Sequence, residues 1–85
     1  MTIELFGIAR LRAGTATLEL EAETVRDALR ALADRCPGAV PEVVDSGRLS
    51  PRYLASLNGG PFVSDPETNL GPDDTLVIIG SQAGG

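Results

Sequence analysis

Residues 75–85 read Thr75-Leu76-Val77-Ile78-Ile79, then Gly80-Ser81-Gln82-Ala83-Gly84-Gly85. The apolar, β-branched run predicts a strand. Side chains alternate along a strand, so Leu76 and Ile78 share one face while Val77 and Ile79 share the other. The strand is apolar on both faces and needs cover on both. The residues after it are small and aperiodic, and they close on two glycines. Two readings of residues 81–85 stand: a frayed terminus, or a functional tail that carries a free α-carboxylate. A carboxylate is a poor electrophile until activated, for example as a mixed anhydride with a nucleotide phosphate. Sulfide or a cysteine persulfide can then attack it. The tail must enter a narrow site, and glycine lets another backbone or a ligand approach closely. Residues 81–85 span roughly 17 Å when extended, at about 3.4 Å each.

Composition limits the alternatives. Eighty-five residues at 42% hydrophobic and 22% charged fit one small soluble domain. No apolar run approaches membrane-spanning length. The chain enters a strand pattern at once, so no signal peptide is expected and a cytoplasmic location is. A net charge of −5 opposes nucleic-acid binding and suits a partner with a basic face. Cys36 is the only cysteine, which excludes an intrachain disulfide and points to a reducing compartment. There is no His, and all seven cationic residues are Arg. The commonest acid–base group, the commonest transition-metal ligand and all lysine chemistry are therefore missing. An autonomous enzyme would have to work with carboxylates alone.

Outward from the last strand, residues 2–8 predict a first strand, with Ile3 and Leu5 on one face and Glu4, Phe6 and Ile8 on the other. Residues 10–15 predict a turn. Residues 17–21 alternate, with Leu18 and Leu20 inward, and would complete an N-terminal hairpin. Residues 25–36 predict the main helix, with Thr24 as N-cap and Asp27 at the capping-box position. Val25, Ala28, Leu29, Leu32 and Cys36 form its buried stripe. Cys36 is read as a small core residue, and Asp27 and Asp34 as solvated face. Pro37-Gly38 stops the helix. Residues 38–52 give no clear pattern beyond a helical turn at 42–45. Residues 53–57 predict a strand, and Asn58-Gly59-Gly60 a tight turn. Phe62-Val63 fits a short returning strand, Leu70 a core anchor, and Gly71-Pro72-Asp73-Asp74 a turn rather than a metal site.

The expected order is β-β-α-β-(β)-β, and one helix covers only one face of such a sheet. With Ile3, Leu5, Leu76 and Ile78 under the helix, Ile8, Val77 and Ile79 remain on the open face. Either they form a binding surface, or residues 39–52 fold over them.

These features together resemble a known family. They are Phe6-Gly-Ile-Ala-Arg-Leu-Arg-Ala-Gly14, the helix Thr24-Val-Arg-Asp-Ala-Leu-Arg-Ala-Leu32, the Asn58-Gly59 turn, Leu70 before Gly71-Pro-Asp-Asp74, and Gly84-Gly85. In that order they look like the ubiquitin-like sulfur carriers: the molybdopterin synthase small subunits and the thiamine-pathway carriers. The resemblance implies an α+β, ubiquitin-like β-grasp fold. Its mixed sheet of four to five strands would hold the first and last strands as neighbours beside one main helix. It implies a domain over residues 1–80 and a tail over 81–85. It implies that an adenylating, E1-like enzyme activates Gly85 with ATP, that the carrier itself binds no cofactor, and that Gly85 becomes a thiocarboxylate. Gly84 would give slim access. Ile8, Phe62, Ile79, Gln82 and Ala83 would contact partners, among them a molybdopterin synthase large subunit. Molybdopterin carriers often run Pro-Pro-Val where this chain has Gly80-Ser81-Gln82, which leaves thiamine, cysteine, tRNA thiolation and specialised metabolism open as pathways. A second class is a ubiquitin-like modifier, whose Gly85 forms an amide with a target's lysine.

Overall fold

The computed structural model describes residues 1–81. In chain order the elements are β1 (Thr2–Leu5), α1 (Gly7–Ala13), β2 (Thr17–Glu19), α2 (Val25–Arg35), β3 (Val44–Asp45), β4 (Arg48–Leu49), β5 (Tyr53–Leu57) and β6 (Thr75–Gly80). The doubly apolar last strand takes an inner place in a four-stranded mixed sheet of order β2-β1-β6-β5. It runs parallel to β1, with Ile3 opposite Leu76 and Leu5 opposite Ile78, and antiparallel to β5. This is the β-grasp arrangement.

α2 packs across one face. Its stripe Val25, Ala28, Leu29 and Leu32 is buried together with Ile3, Leu5, Ala55, Leu76 and Ile78. Fully burying one such aliphatic side chain is worth about 1.5–3 kcal/mol, so this layer dominates stability. Thr24 caps the helix, its Oγ1 accepting from the Asp27 N–H at 3.2 Å. Cys36 is buried at the end of the stripe. Leu70 is buried and its N–H donates to the Glu23 carbonyl at 2.9 Å, which ties the long loop before β6 to the start of α2.

Three expectations change. The first strand ends at Leu5, not Ile8, and residues 7–13 form a helix rather than a turn. Gly7, at φ +58°, makes the sharp step from strand to helix. Hydrophobic periodicity conceals α1 because its buried residue is Ala9, while Ile8 and Leu11 face out. Small residues turn inward because the neighbouring chain is close: a Cβ on Gly38 would lie 2.3 Å from the Arg12 carbonyl oxygen. Second, residues 38–52 are ordered around buried Ala39, Val43 and Val44. They form a 3-10 turn at Pro37–Ala39 and the separate β3–β4 hairpin, packed beside α2. Third, Phe62 makes a single bridge to Ser56 rather than a strand.

The Gly38 contact gives a stability test. Gly38→Ala should cost roughly 1–3 kcal/mol, as other overpacked sites do. For a domain this size that lowers the melting temperature by roughly 5–20 °C. Thermal denaturation followed by circular dichroism measures it; an unchanged midpoint would mean that α1 does not pack on Gly38.

Candidate functional site

Cross-strand partners share a face, so the sheet register assigns the open face residue by residue. Leu54 on β5 opposes Ile79 on β6. Phe6 continues β1 in extended geometry, and its N–H donates to the Ile78 carbonyl at 3.3 Å. Leu5 is buried under α2, so alternation turns Phe6 outward beside Ile79. The result is an apolar row, Phe6–Ile79–Leu54, across three strands. The next row holds Glu4, Val77 and Ser56, with Phe62 bridged to Ser56 at the sheet's edge.

Phe6, Ile8, Leu11 and Phe62 are each at least half exposed, and Leu54, Val77 and Ile79 are half-buried. Toward β2 the face turns polar and acidic: Glu19 is exposed, with the Thr2 hydroxyl donating to its carboxylate, and Glu4 lies beside Thr17. The open face is therefore split, apolar over β6 and β5 and acidic over β1 and β2. Residues 39–52 do not cover it, because their contacts run to α1 and α2.

Of the sequence-predicted partner contacts, Ile79 and Phe62 lie on this face. Ile8 does not belong to the sheet; it is exposed on the first turn of α1, one residue beyond Gly7. Gln82, Ala83, Gly84 and Gly85 lie outside the described residues. The face also presents Phe6 and Leu54, and α1 presents Leu11, none of which the sequence reading assigns to a partner. A signal exists for Leu54, which alternates with Tyr53 and Ala55. It is hidden for Leu11, whose helix periodicity does not reveal.

The end of β6 sets where the tail begins. Parallel pairing brings Gly80 to the same end of the sheet as Phe6 and α1. The Ser81 N–H donates to the Arg52 carbonyl at 2.7 Å, and the Ser81 hydroxyl to that of Pro51 at 3.3 Å. The apolar row thus stands at the root of residues 82–85.

A polar latch fixes the opposite end. Asn58, at φ +54°, turns the chain after β5. Its Nδ2 donates to Asp74 Oδ1 at 3.0 Å and its Oδ1 accepts from the Thr75 N–H at 2.8 Å. Asp74 Oδ2 accepts from the Gly71 N–H at 2.8 Å. These bonds, first that from Asn58 and then that from Gly71, hold the Asp74 carboxyl below its ordinary pKa. The latch pins β6 in register against β5, and a one-residue slip would turn Ile79 into the core. Among the described residues no cluster of three or more acidic or cysteine side chains is arranged to hold a metal. No helix there is long and apolar enough to cross a membrane.

No protein-family model and no curated protein matches the chain. Solved structures do. The crystal structure of small archaeal modifier protein SAMP1 from Haloferax volcanii is 26% identical, covers 100% of this chain and 98% of its own, and superposes with a TM-score of 0.85. The Amycolatopsis orientalis BexX/CysO complex contains a chain 24% identical, with 99% and 98% covered and a TM-score of 0.81. A putative molybdopterin converting factor, subunit 1, from Pyrococcus furiosus is 21% identical, with 93% of each chain covered and a TM-score of 0.72. The shared β-grasp fold supports the ubiquitin-like sulfur-carrier and modifier family that the sequence resembles.

The latch predicts a pH dependence. A carboxyl whose folded pKa is depressed contributes stability above its unfolded pKa and loses it as pH falls through the folded value. Stability should therefore drop between about pH 4 and the lower folded pKa of Asp74, and Asp74→Asn should flatten that part of the profile. Denaturation midpoints of both proteins from pH 6 to pH 2 test this; parallel profiles would remove Asp74 as the source.

Proposed function

We propose that this chain is a sulfur-carrier protein, a co-substrate of partner enzymes rather than a catalyst. The observation that carries the reading is the apolar row Phe6–Ile79–Leu54 at the root of a tail that closes on Gly84-Gly85. A partner that grips the row has the tail within reach of its active site. The acidic half of the open face suits a basic rim on that partner.

The chemistry falls to the tail and the partner. In an adenylating enzyme the Gly85 carboxylate attacks the α-phosphorus of ATP, and pyrophosphate leaves. Sulfide then attacks the acyl carbon and expels AMP, its proton passing to solvent, so that Gly85 ends as a thiocarboxylate. Gly84 gives the slim approach this requires, and Gln82 and Ala83 contact the partner. The side-chain inventory agrees, since a chain without His or Lys has little means to run the reaction itself. The leading recipient is a molybdopterin synthase large subunit, in keeping with the likeness to the Pyrococcus protein.

A modifier role has its own support in the likeness to the Haloferax modifier protein. There the same activated Gly85 would meet a lysine amine instead of sulfide. Without lysines of its own the chain could not extend itself into polymers through side-chain amines.

Removing Gly85 should leave the fold intact and abolish thiolation. The new carboxylate would stop about 3.4 Å short, where a displacement of even about 1 Å can cost 10²-fold. Intact-mass spectrometry after incubation with an adenylating enzyme, ATP and sulfide reads the oxygen-to-sulfur mass change. Equal thiolation of the truncated chain would defeat the carrier reading.

Ile79→Asp tests the docking row separately. The charge would be desolvated and unpaired in an apolar contact, a substitution of the kind that costs about 2 kcal/mol or more at the centre of an interface. Binding to the adenylating enzyme should weaken at least about 30-fold by that figure, with the circular-dichroism spectrum unchanged. A collapsed spectrum would instead place Ile79 in the core.

A further inference from the structure

β5 is an outer strand of the sheet, and its free edge is incompletely paired. Residues 53, 55 and 57 turn their backbone groups away from β6. Tyr53 N–H donates to the Ser50 carbonyl, Ala55 C=O accepts from the Val63 N–H, and Leu57 is closed off by Pro61 and Gly60. Two groups remain without a partner among the described residues, the Tyr53 carbonyl and the Ala55 N–H. They face a groove of about 710 Å³ between this edge, α2 and the β3–β4 hairpin.

The groove has a distinctive lining. Its walls include Leu29, Leu49, Leu54 and Val63, and its rim carries Arg26, Arg30 and Arg48. No acidic residue lines it, although the chain carries twelve acids against seven arginines. Arg26 pairs at 3.7 Å with exposed Glu67; among the described residues Arg30 and Arg48 have no ion-pair partner. Asp34 lies in the adjoining hollow next to Arg30, Asp45 is the cross-strand neighbour of Arg48, and Glu42, beside Tyr53, is paired with Arg52 at 3.3 Å.

We propose that this groove docks an extended, acidic–apolar peptide segment of a partner protein, added to the β5 edge. One residue of a parallel strand satisfies both free groups: its N–H donates to the Tyr53 carbonyl, and its carbonyl accepts from the Ala55 N–H. Val63 and Ser50 close the edge on either side, so the backbone contribution stops at these two bonds. The remaining affinity comes from apolar side chains flanking that residue, which point toward Leu29, and from carboxylates that reach Arg30 and Arg48. The basic rim on an otherwise acidic molecule selects the charge of the occupant. Leu54 and Phe62 stand on the ridge between groove and open face, but the groove needs neither the tail nor Ile79.

The probe is a fluorescein-labelled peptide, Glu-Val-Ile-Val-Ile-Asp-Glu, titrated against the full chain at low salt by fluorescence anisotropy. Saturable binding is expected, with amide shifts in the NMR spectrum at Leu29, Ala55 and Val63 and slowed exchange of the Ala55 amide. Replacing the peptide's acids by lysine should weaken binding at least about tenfold. So should the double variant Arg30→Gln, Arg48→Gln, which removes the two exposed charges without placing an acid beside Asp34 or opposite Asp45; an unchanged circular-dichroism spectrum checks that it is folded. The inference is overturned by no saturable binding up to about 1 mM, by equal affinity for the lysine peptide, or by shifts confined to Phe6 and Ile79. It is also overturned if free glutamate or inorganic phosphate reproduces the shifts, since the occupant is then a small anion. Thiolation of Gly85 should proceed alike in the double variant, so this test and that of the carrier reading fail independently.

Discussion

The parallel pairing of β1 with β6 is the constraint on which the remaining architecture depends. It joins the start of the chain to its last strand, so the sheet cannot form until both ends have been made, a non-local contact of the kind that slows folding. It buries Ile3, Leu5, Leu76 and Ile78 in one layer beneath α2. It also decides where the chain leaves the sheet: beside Phe6 and α1 rather than at the far end with the Asn58–Asp74 latch. A parallel pair needs a crossover, and here most of the chain supplies it. α2 and the β3–β4 hairpin are that connection, which is why one helix suffices to close the core.

The two faces of the sheet then have different work. Under α2 the side chains are fully buried and chosen for volume. On the other face no layer among the described residues covers Ile79, Val77 and Leu54, and Phe6 and Phe62 stand exposed. Exposed aromatic side chains on one sheet face are an aggregation liability in a small domain. The acidic residues that share the face, Glu4 and Glu19, offset it by like-charge repulsion between copies, while leaving a basic partner free to approach. Apolar and acidic halves together specify a partner more narrowly than either would alone.

Most of the sheet was legible because its strands obey simple period-two patterning. β5 matches its expected limits, and β6 extends the expected run by Gly80 alone. α2 was legible from its stripe and Thr24 cap. α1 was not, since a helix that buries Ala9 and exposes Ile8 and Leu11 reverses the usual pattern, and the cause is Gly38, distant in sequence. The β3–β4 hairpin is hidden in the sequence for a related reason. Two-residue strands carry too little periodicity to read, and Val43 and Val44 are both buried although adjacent. Of the site, alternation along the last strand places Ile79 on the open face, Phe62 is reached only through the family resemblance, and Ile8 is expected on a strand that in fact ends three residues earlier. The groove could not be anticipated at all. It depends on which edge groups of β5 remain unpaired, a property of register and of neighbouring loops rather than of any one stretch.

The inversion of α1 bears on function as well as on legibility. A helix free to rotate would bury Ile8 or Leu11 and expose Ala9, gaining apolar contact. The backbone of residues 37–39 lies against it, so close that a side chain at Gly38 would collide with the Arg12 carbonyl. The larger apolar side chains are thereby held outward at the strand end from which the tail departs. Burying the two would be worth about 3–6 kcal/mol by transfer, a sizeable share of the stability of a small domain. The close packing at Gly38 keeps that free energy from being realised within the described fold, which leaves Ile8 and Leu11 at the surface beside the open face.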